Sequence, residues 1–227
     1  MRLAGRALTP VEAAGLTLTI AAALVLPARA WRIGRAAITA VHEAGHALAA
    51  VLSGRRVAAV HLRADTSGVT YHCGAASGIK SWPGRLLTAV AGYPAPALLG
   101  LGGASLVGAG HARLWLVGLL VLGVVTLVLW VRNVFGVVLM LTWVGAFGWV
   151  SLYGSATVDF VVAGTATWYL LLGGLRASTE LFGPGRVGDA EDVASLVHLP
   201  VGVCKAGFWL ATAAVTTAGG AMLFGYL

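Results

Sequence analysis

The sequence predicts an all-α polytopic membrane protein, with about seven transmembrane helices and a small β-hairpin after the second helix. Of its 227 residues, 59% are hydrophobic and only 10% are charged, whereas a soluble domain carries about 25% charged residues. Apolar runs such as Leu114 to Val131 are long enough to cross a bilayer. The 32 glycines suit helices packed in lipid, where small residues let backbones approach closely. We therefore expect one integral membrane domain over residues 1–227, with the lipid bilayer as its surroundings.

The formal charge of +7 does not indicate a nucleic-acid partner, because the arginines lie between the apolar runs and not along one face. In a membrane protein such arginines set the topology. With seven spans, the amino-terminus, the hairpin loop and the segment 176–200 share one side, which the positive-inside rule makes cytoplasmic. The basic stretch from Arg29 to Arg35 falls on the other side and opposes that orientation.

The first helix is expected from Thr9 to about Pro27. Thr9-Pro10-Val11-Glu12 offers an N-cap, a proline at the first helical position and a capping-box glutamate. We interpret this segment as a retained membrane helix and not as a signal peptide, because no A-x-A-like cleavage site precedes a soluble domain.

A basic loop with Arg29, Arg32 and Arg35 is expected next, followed by a second helix from about Ala36 to Leu52. The stretch from Val57 to Cys73 places β-branched residues on both sides of Asp65-Thr66-Ser67-Gly68, which is typical of a β-hairpin. The hairpin is too polar to cross the bilayer, so it should lie at the interface or line a cavity.

The remaining five predicted spans are apolar segments of about the length that a bilayer requires. The first of them contains Gly92-Tyr93-Pro94-Ala95-Pro96, whose prolines must break its helical hydrogen bonding. Residues 176–200 depart from the apolar pattern, since they include several acidic side chains. The five segments are Leu86 to Val107, Leu114 to Val131, Val134 to Leu152, Val158 to Leu175 and Val203 to Leu227.

Candidate chemistry lies in the second helix, at His42-Glu43-Ala44-Gly45-His46. Residues four apart on a helix project from nearly the same face, so His42 and His46 can hold one metal ion. Glu43 can reach a water on that ion without ligating it, and Gly45 should leave space beside the site. This H-E-x-x-H arrangement supplies two zinc ligands and a general base. Because ionisable groups are costly inside a membrane, a functional site is favoured over three buried polar groups that only satisfy one another.

A catalytic zinc site takes three protein ligands and leaves one position to water. The spacing does not choose the third ligand. The candidates are His61 and His72 in the hairpin, His111, Asp159, His198, and the acidic residues of the segment Gly188 to Val193, which include Asp189 and Asp192.

The order of these elements resembles the site-2 protease family of intramembrane zinc metalloproteases, and most closely its small, divergent bacterial branch. Three stretches carry the resemblance: H-E-A-G-H in a membrane helix, then Ala91-Gly92-Tyr93-Pro94-Ala95-Pro96, and then Gly188-Asp189-Ala190. The second and third depart from the G-P-x-x-N and L-D-G patterns of the family. The resemblance implies that Asp189 is the third zinc ligand, with Asp192 as the runner-up.

The resemblance also implies a function, namely zinc-dependent cleavage of a transmembrane segment of another protein, in a bacterial cell membrane. Glu43 would be the general base. Asn133, which follows Arg132 between two apolar runs, is either part of an interfacial turn or a donor to the substrate oxyanion, since site-2 proteases have an asparagine near the site. The hairpin could receive the substrate as an added strand.

The alternative function is a metal-binding membrane protein without protease activity, either a transporter or a regulatory pseudoprotease. An intact Glu43 disfavours the pseudoprotease, because a metal scaffold needs no general base. A transporter would show polar residues in several spans, whereas only the helix with His42 is strongly marked and Asp159 is a lesser case.

Overall fold

The structure is a computed structural model and describes residues 2–3, 6–73, 81–183 and 188–226. Within these ranges the chain is mainly helical. The helices, in chain order, are α1 (Pro10–Val25), α2 (Ala28–Leu52), α3 (Ser81–Ala91), α4 (Pro94–Gly108), α5 (Ala112–Leu129), α6 (Val134–Tyr153), α7 (Ala156–Thr179), α8 (Asp189–Val197) and α9 (Val201–Leu223). A 3-10 turn at Glu180–Phe182 follows α7. The strands are β1 (Arg2–Leu3), β2 (Arg6–Ala7), β3 (Arg56–Leu62) and β4 (Gly68–Cys73).

Four helical segments of the described chain are long and apolar enough to cross a membrane: α5, α6, α7 together with its 3-10 turn, and α9. The bent pairs α1–α2 and α3–α4 raise the number to six if each pair is one broken span. The count of seven is therefore not confirmed. One reason is the length of α1, whose 16 residues extend only about 24 Å at about 1.5 Å per residue, less than the roughly 30 Å of a bilayer core.

The expected basic loop between the first two helices is wrong, because Arg29, Arg32 and Arg35 lie in the first turns of α2. Pro27 is the N-cap of α2, and no proline or glycine follows it until Gly34, so the arginines and alanines continue the helix. The chain changes direction by 99° between α1 and α2.

The capping box predicted at the start of α1 is confirmed: the Thr9 hydroxyl accepts a hydrogen bond from the Glu12 amide, and the Glu12 carboxylate accepts one from the Thr9 amide. The break predicted at Gly92–Pro96 is also confirmed. Because Pro94 has no amide hydrogen, the helix stops at Ala91 and restarts as α4, which is bent by 67° from α3.

The predicted β-hairpin is confirmed as the antiparallel pair β3–β4. Its turn contains Thr66 at a positive φ of 66° and is closed by Asp65, whose carboxylate accepts hydrogen bonds from the amide and hydroxyl of Ser67. Val60 and Leu62 are buried against α2. The outer edge of β3 is also covered, since the Val60 amide donates to the Trp130 carbonyl at 2.7 Å. The hairpin is thus fixed over the helix that carries the candidate metal ligands.

Helix α7 lies at the centre of the bundle and packs against α1, α4 and α9. Leu171 and Trp168 of α7 are buried in this core. The 3-10 turn that follows α7 returns to α2: the Trp31 indole donates to the Glu180 carboxylate at 2.6 Å, and Arg35 forms an ion pair with the same carboxylate at 3.3 Å. These contacts connect the chain leading into α8 to the start of α2.

Candidate metal centre

His42 and His46 lie one turn apart on α2 and face the same side of it. Their Nε2 atoms are 3.1 Å apart, and their rings meet edge to face with centroids separated by 4.7 Å. His46 is buried and His42 is half-buried. The periodicity of the helix thus brings two imidazole nitrogens to one point, as the spacing predicts.

Asp189, the first residue of α8, completes a triangle with the two histidines. Its Oδ2 atom lies 3.2 Å from His42 Nε2 and 3.0 Å from His46 Nε2. Among the described residues, His42, His46 and Asp189 form a group whose ligand atoms are close enough to hold one metal ion. Ligand atoms at about 2.0–2.1 Å from a tetrahedral zinc ion lie roughly 3.3 Å from one another, so the spacing of the three atoms fits zinc.

The orientation of the His46 ring is set by a backbone carbonyl. The Nδ1–H of His46 donates to the Thr88 carbonyl of α3 at 2.7 Å. A carbonyl can only accept, so the proton of the neutral ring resides on Nδ1 and the lone pair of Nε2 points at Asp189. Metal-binding histidines usually have such an outer partner, which fixes the tautomer.

The carboxylate of Asp189 is enclosed beside the two imidazole rings. Its Oδ2 atom is buried and has no hydrogen-bond donor among the described residues, although two imidazole nitrogens lie beside it. Burial by itself raises the pKa of Asp189, but the neighbouring rings of His42 and His46 hold that pKa well below its usual range. This lowering requires a proton on the ring nitrogens that face the carboxylate, and a divalent cation in place of those protons would be met by one carboxylate oxygen and two imidazole lone pairs.

Gly92, at the break between α3 and α4, forms the floor of this triangle. A Cβ atom added there would lie 2.6 Å from His42 Cε1 and 2.7 Å from His42 Nε2, and it would also meet His46 Nε2. Any side chain would therefore occupy space beside the three ligand atoms. Tyr93 follows and places its ring against that of His42, with centroids 4.7 Å apart.

Glu43 lies beside the triangle and is buried beneath β4. The Thr70 hydroxyl donates to Glu43 Oε2 at 2.5 Å. Gly68, two residues earlier in β4, leaves room for the carboxylate, because an added Cβ would lie 2.7 Å from Glu43 Oε1. The strand therefore fixes one oxygen of Glu43 by a hydrogen bond and makes space for the other.

A polar cavity of about 410 Å³ adjoins these groups and is lined by Glu43, His46 and Asp189 among others. A larger apolar groove of about 1120 Å³ lies on another side of α2. The expectation that Gly45 leaves space beside the metal site is wrong, because an added Cβ there would lie 2.6 Å from Ala95 Cβ. Gly45 instead allows α2 to pack closely against α4.

Asn133 is not brought to the triangle. Its side-chain amide donates to the Leu62 carbonyl at 2.6 Å and its Oδ1 accepts from the Leu62 amide at 3.0 Å, so it pairs with the edge of β3. A role of Asn133 at the substrate oxyanion stays a prediction, and the structure gives this side chain a different task, the anchoring of the hairpin.

The other candidates for third ligand lie elsewhere. Asp192 lines the polar cavity but does not join the group of three. Asp159 is buried at the start of α7, where the Arg113 guanidinium contacts it at 2.8 Å. His198 is the exposed C-cap of α8, with a left-handed backbone. Of the carboxylates considered, Asp189 is the one that meets both histidines, and its assignment as ligand stays a prediction.

Several residues of this site were not found from the sequence. Thr70 and Gly68 lie two apart in β4 and face α2, a period-two pattern that could have indicated a shared face. Nothing in the sequence indicates the Thr88 carbonyl, because backbone groups leave no trace in residue identity. Gly92 was noted as part of the proline break and of the stretch that resembles the second family motif, and not for its closeness to the histidines.

Among known protein families, one matches this chain. The family described as Peptidase M50B-like matches residues 15–220, which is most of the chain and includes all the residues of the triangle and Glu43. No curated protein and no solved structure matches the chain.

Proposed function

The chain belongs to the Peptidase M50B-like family, which agrees with the resemblance to site-2 proteases, and we propose that it is an intramembrane zinc metalloprotease. Its substrate is a peptide bond in or near a transmembrane segment of another protein. The observation that carries this proposal is the convergence of two histidine nitrogens and the Asp189 carboxylate within 4.8 Å of one another, with Glu43 beside them.

His42, His46 and Asp189 are the residues that would hold the metal. Two imidazoles and one carboxylate are a donor set that catalytic zinc sites use, and three protein ligands leave one position open. A zinc ion bound there would supply a Lewis acid that polarises the scissile carbonyl and lowers the pKa of water. The Thr88 carbonyl keeps His46 in the required tautomer.

Glu43 is the general base of the proposed reaction. One carboxylate oxygen accepts a proton from the attacking water, whose oxygen bonds to the carbonyl carbon of the substrate. The same carboxyl group then delivers the proton to the amide nitrogen, and the carbon–nitrogen bond breaks. Because the Thr70 hydroxyl holds Oε2, Oε1 on the side of Gly68 is the oxygen that would exchange the proton.

The substrate has to be extended where it is cut, because helical amides are closed off by their own hydrogen bonds. The outer edge of β3 already pairs with Trp130 and Arg132. We therefore assign the role of substrate receiver to β4, whose Thr70 also contacts Glu43. Edge pairing would then place the substrate backbone along the polar cavity.

The test combines metal analysis with cleavage of a transmembrane substrate. Glu43→Gln should keep about one zinc per chain and lose cleavage, since this residue moves a proton and binds no metal. His46→Ala should lose both, and His61→Ala, a hairpin histidine that packs on Tyr71, should lose neither. Loss of zinc in Glu43→Gln would mean that Glu43 is a ligand and that the mechanism is misassigned.

The same experiment separates the protease from the alternative function. A wild-type protein that binds zinc and depends on His46 for it, but cuts no transmembrane segment, would be a silent metal-binding protein. If the wild-type protein takes up no zinc on titration, both the protease and the metal-binding function are ruled out.

A further inference from the structure

The polar cavity beside Glu43 has a cationic lining that the proposed reaction does not use. Arg55, His72 and Arg85 line the same cavity of about 410 Å³ as Glu43 and Asp189. They come from three places in the fold: the turn after α2, strand β4 and helix α3. These residues, which lie up to 30 positions apart in the sequence, meet here because the hairpin and α3 both pack against α2.

Two buried polar atoms of this lining have no hydrogen-bond partner among the described residues: Nε of Arg55 and Nδ1 of His72. A buried donor without an acceptor costs free energy, and native structures rarely leave one unpaired. Burial lowers the pKa of the His72 ring, and the charge of Arg55 lowers it further, which shows that the two side chains are close. The Arg55 Nε–H is a donor, and the neutral His72 ring donates from Nδ1 in one of its two tautomers, so both atoms fit an acceptor from outside the protein.

The charges of the cavity lead to the same conclusion. Neither Arg55 nor Arg85 forms an ion pair with any described residue, and Asp192, which lines the cavity as well, forms none with either arginine. Glu43 is held by Thr70, and Asp189 faces the two histidines. Both arginines thus lack a carboxylate within 4.0 Å in the described part of the chain.

We propose that Arg55, His72 and Arg85 form a subsite for a carboxylate of the substrate, and that the enzyme prefers segments with an acidic side chain close to the cleaved bond. This inference rests on the proposed function, because it places the subsite next to the catalytic base. Arginine is suited to the task, since its planar guanidinium binds a carboxylate through two parallel hydrogen bonds.

The position of the acidic residue follows from β4. Thr70 touches Glu43, and His72 lies two residues further along the strand. At about 3.3 Å per residue, the two positions are roughly 7 Å apart. A substrate strand along β4 would therefore present its acidic side chain about two to four residues from the cleaved bond.

The first measurement is binding and does not need turnover. Glu43→Gln protein, loaded with zinc, is titrated with synthetic transmembrane peptides of about 20 residues, in which one Glu is moved stepwise along the flanking segment. Each peptide has a twin with Gln at the same position. We expect one Glu position to bind about tenfold more tightly than its Gln twin, since a hydrogen bond between charged groups contributes that much.

The variants assign that preference to the two arginines. In the Glu43→Gln background, Arg55→Gln and Arg85→Gln together should abolish the preference for Glu over Gln while zinc content and binding of the Gln peptide stay unchanged. Arg85→Glu should shift the preference towards a Lys peptide. Arg56→Gln is the matched control, because Arg56 is the exposed neighbour of Arg55 and does not line the cavity.

Two results would overturn the proposal. One is that the Glu43→Gln protein prefers the Glu peptide equally with and without the substitutions Arg55→Gln and Arg85→Gln. The other is that the double substitution weakens binding to bilayer nanodiscs containing anionic lipid but leaves the peptide preference intact, which would assign the arginines to a lipid headgroup. Failure of the wild-type protein to cleave any peptide would count against the proposed protease alone, because the binding preference is measured without cleavage.

Discussion

Two aspartates in this protein occupy the same kind of position and have different surroundings. Asp159 and Asp189 each lie in the first turn of a helix, α7 and α8 respectively, and each carboxylate is largely removed from solvent. A carboxylate is favoured near a helix N-terminus by the helix dipole. The difference lies in the neighbours: Asp159 faces the guanidinium of Arg113, whereas Asp189 faces the imidazoles of His42 and His46.

The neighbours decide what each carboxylate can do. Arg113 carries a permanent charge, and its Nε and Nη2 atoms contact Asp159 and the Gly154 carbonyl, both at 2.8 Å. That pair engages Asp159 Oδ2 and links α5, α6 and α7, while Asp159 Oδ1 is buried without a hydrogen-bond partner among the described residues. The imidazoles at Asp189 carry no permanent charge and offer lone pairs, so these three residues could hold a cation. A buried acid with an arginine partner stabilises the bundle, and one with two histidines is available for a metal.

The largest effect is expected from replacing Asp189. Asp189→Asn should lower zinc affinity by more than the roughly 10–100-fold that outer-sphere changes cause and should stop cleavage, because it removes a charged ligand. Asp159→Asn and Asp192→Asn, the matched controls, should keep one zinc per chain by metal analysis. Zinc loss in Asp192→Asn with retention in Asp189→Asn would move the ligand by one helical turn, and zinc loss in Asp159→Asn would erase the contrast between the two sites.

A smaller effect is expected from Arg113. Arg113→Gln leaves the buried Asp159 carboxylate unpaired and should lower the free energy of unfolding by about 3 kcal/mol, the lower end of the range for a broken buried pair, because Arg113 itself is 56% exposed. Zinc content should not change. Unfolding in denaturing detergent measures the stability, and the double variant Arg113→Gln/Asp159→Asn should be more stable than Arg113→Gln alone. Equal stability of the single and double variants would show that the pair is not coupled.

The smallest effect is expected from the glycines that lie against each carboxylate site. Gly92→Ala places a methyl group 2.6 Å from the His42 ring and should weaken zinc binding by about 10–100-fold, as displaced ligands do. Gly154→Ala would crowd Asp159 in the same way and should lower thermal stability without changing zinc affinity. Competition with a zinc chelator measures the first effect. Unchanged affinity in Gly92→Ala would mean that the ligand triangle is less tightly enclosed than its geometry indicates.

Much of the fold followed from the sequence because it depends on local rules. The capping box at Thr9, the proline break at Pro94 and the turn at Asp65 to Gly68 each involve residues within a few positions of one another. Their outcome depends on backbone geometry and side-chain hydrogen bonds between near neighbours in the chain, and all three were predicted. The predicted count of seven spans is not confirmed, because hydropathy does not register the 99° bend between α1 and α2.

The candidate site also has a part that the sequence predicts from local rules and a part that it leaves open. The sequence by itself determined that His42, Glu43 and His46 share one helix and that the two histidines face one point, since a helical period of 3.6 residues fixes their relation. It also limited the third ligand to a few histidines and acids. The spacing did not choose among them, because residue identity does not say which of two similar aspartates meets an arginine, and Asp189 was indicated only by the resemblance to site-2 proteases.

Only the tertiary structure shows which aspartate lies beside the two histidines, and the assignment of that aspartate as ligand stays a prediction. It placed Asp159 against Arg113 and Asp189 against His42 and His46, and it brought Thr70, the Thr88 carbonyl and the two cavity arginines to the same site from separate elements. Partners of this kind are joined through packing between helices that lie tens of residues apart in the chain. Their distances depend on how closely backbones approach at residues such as Gly92, which is a property of the folded bundle and not of any short segment.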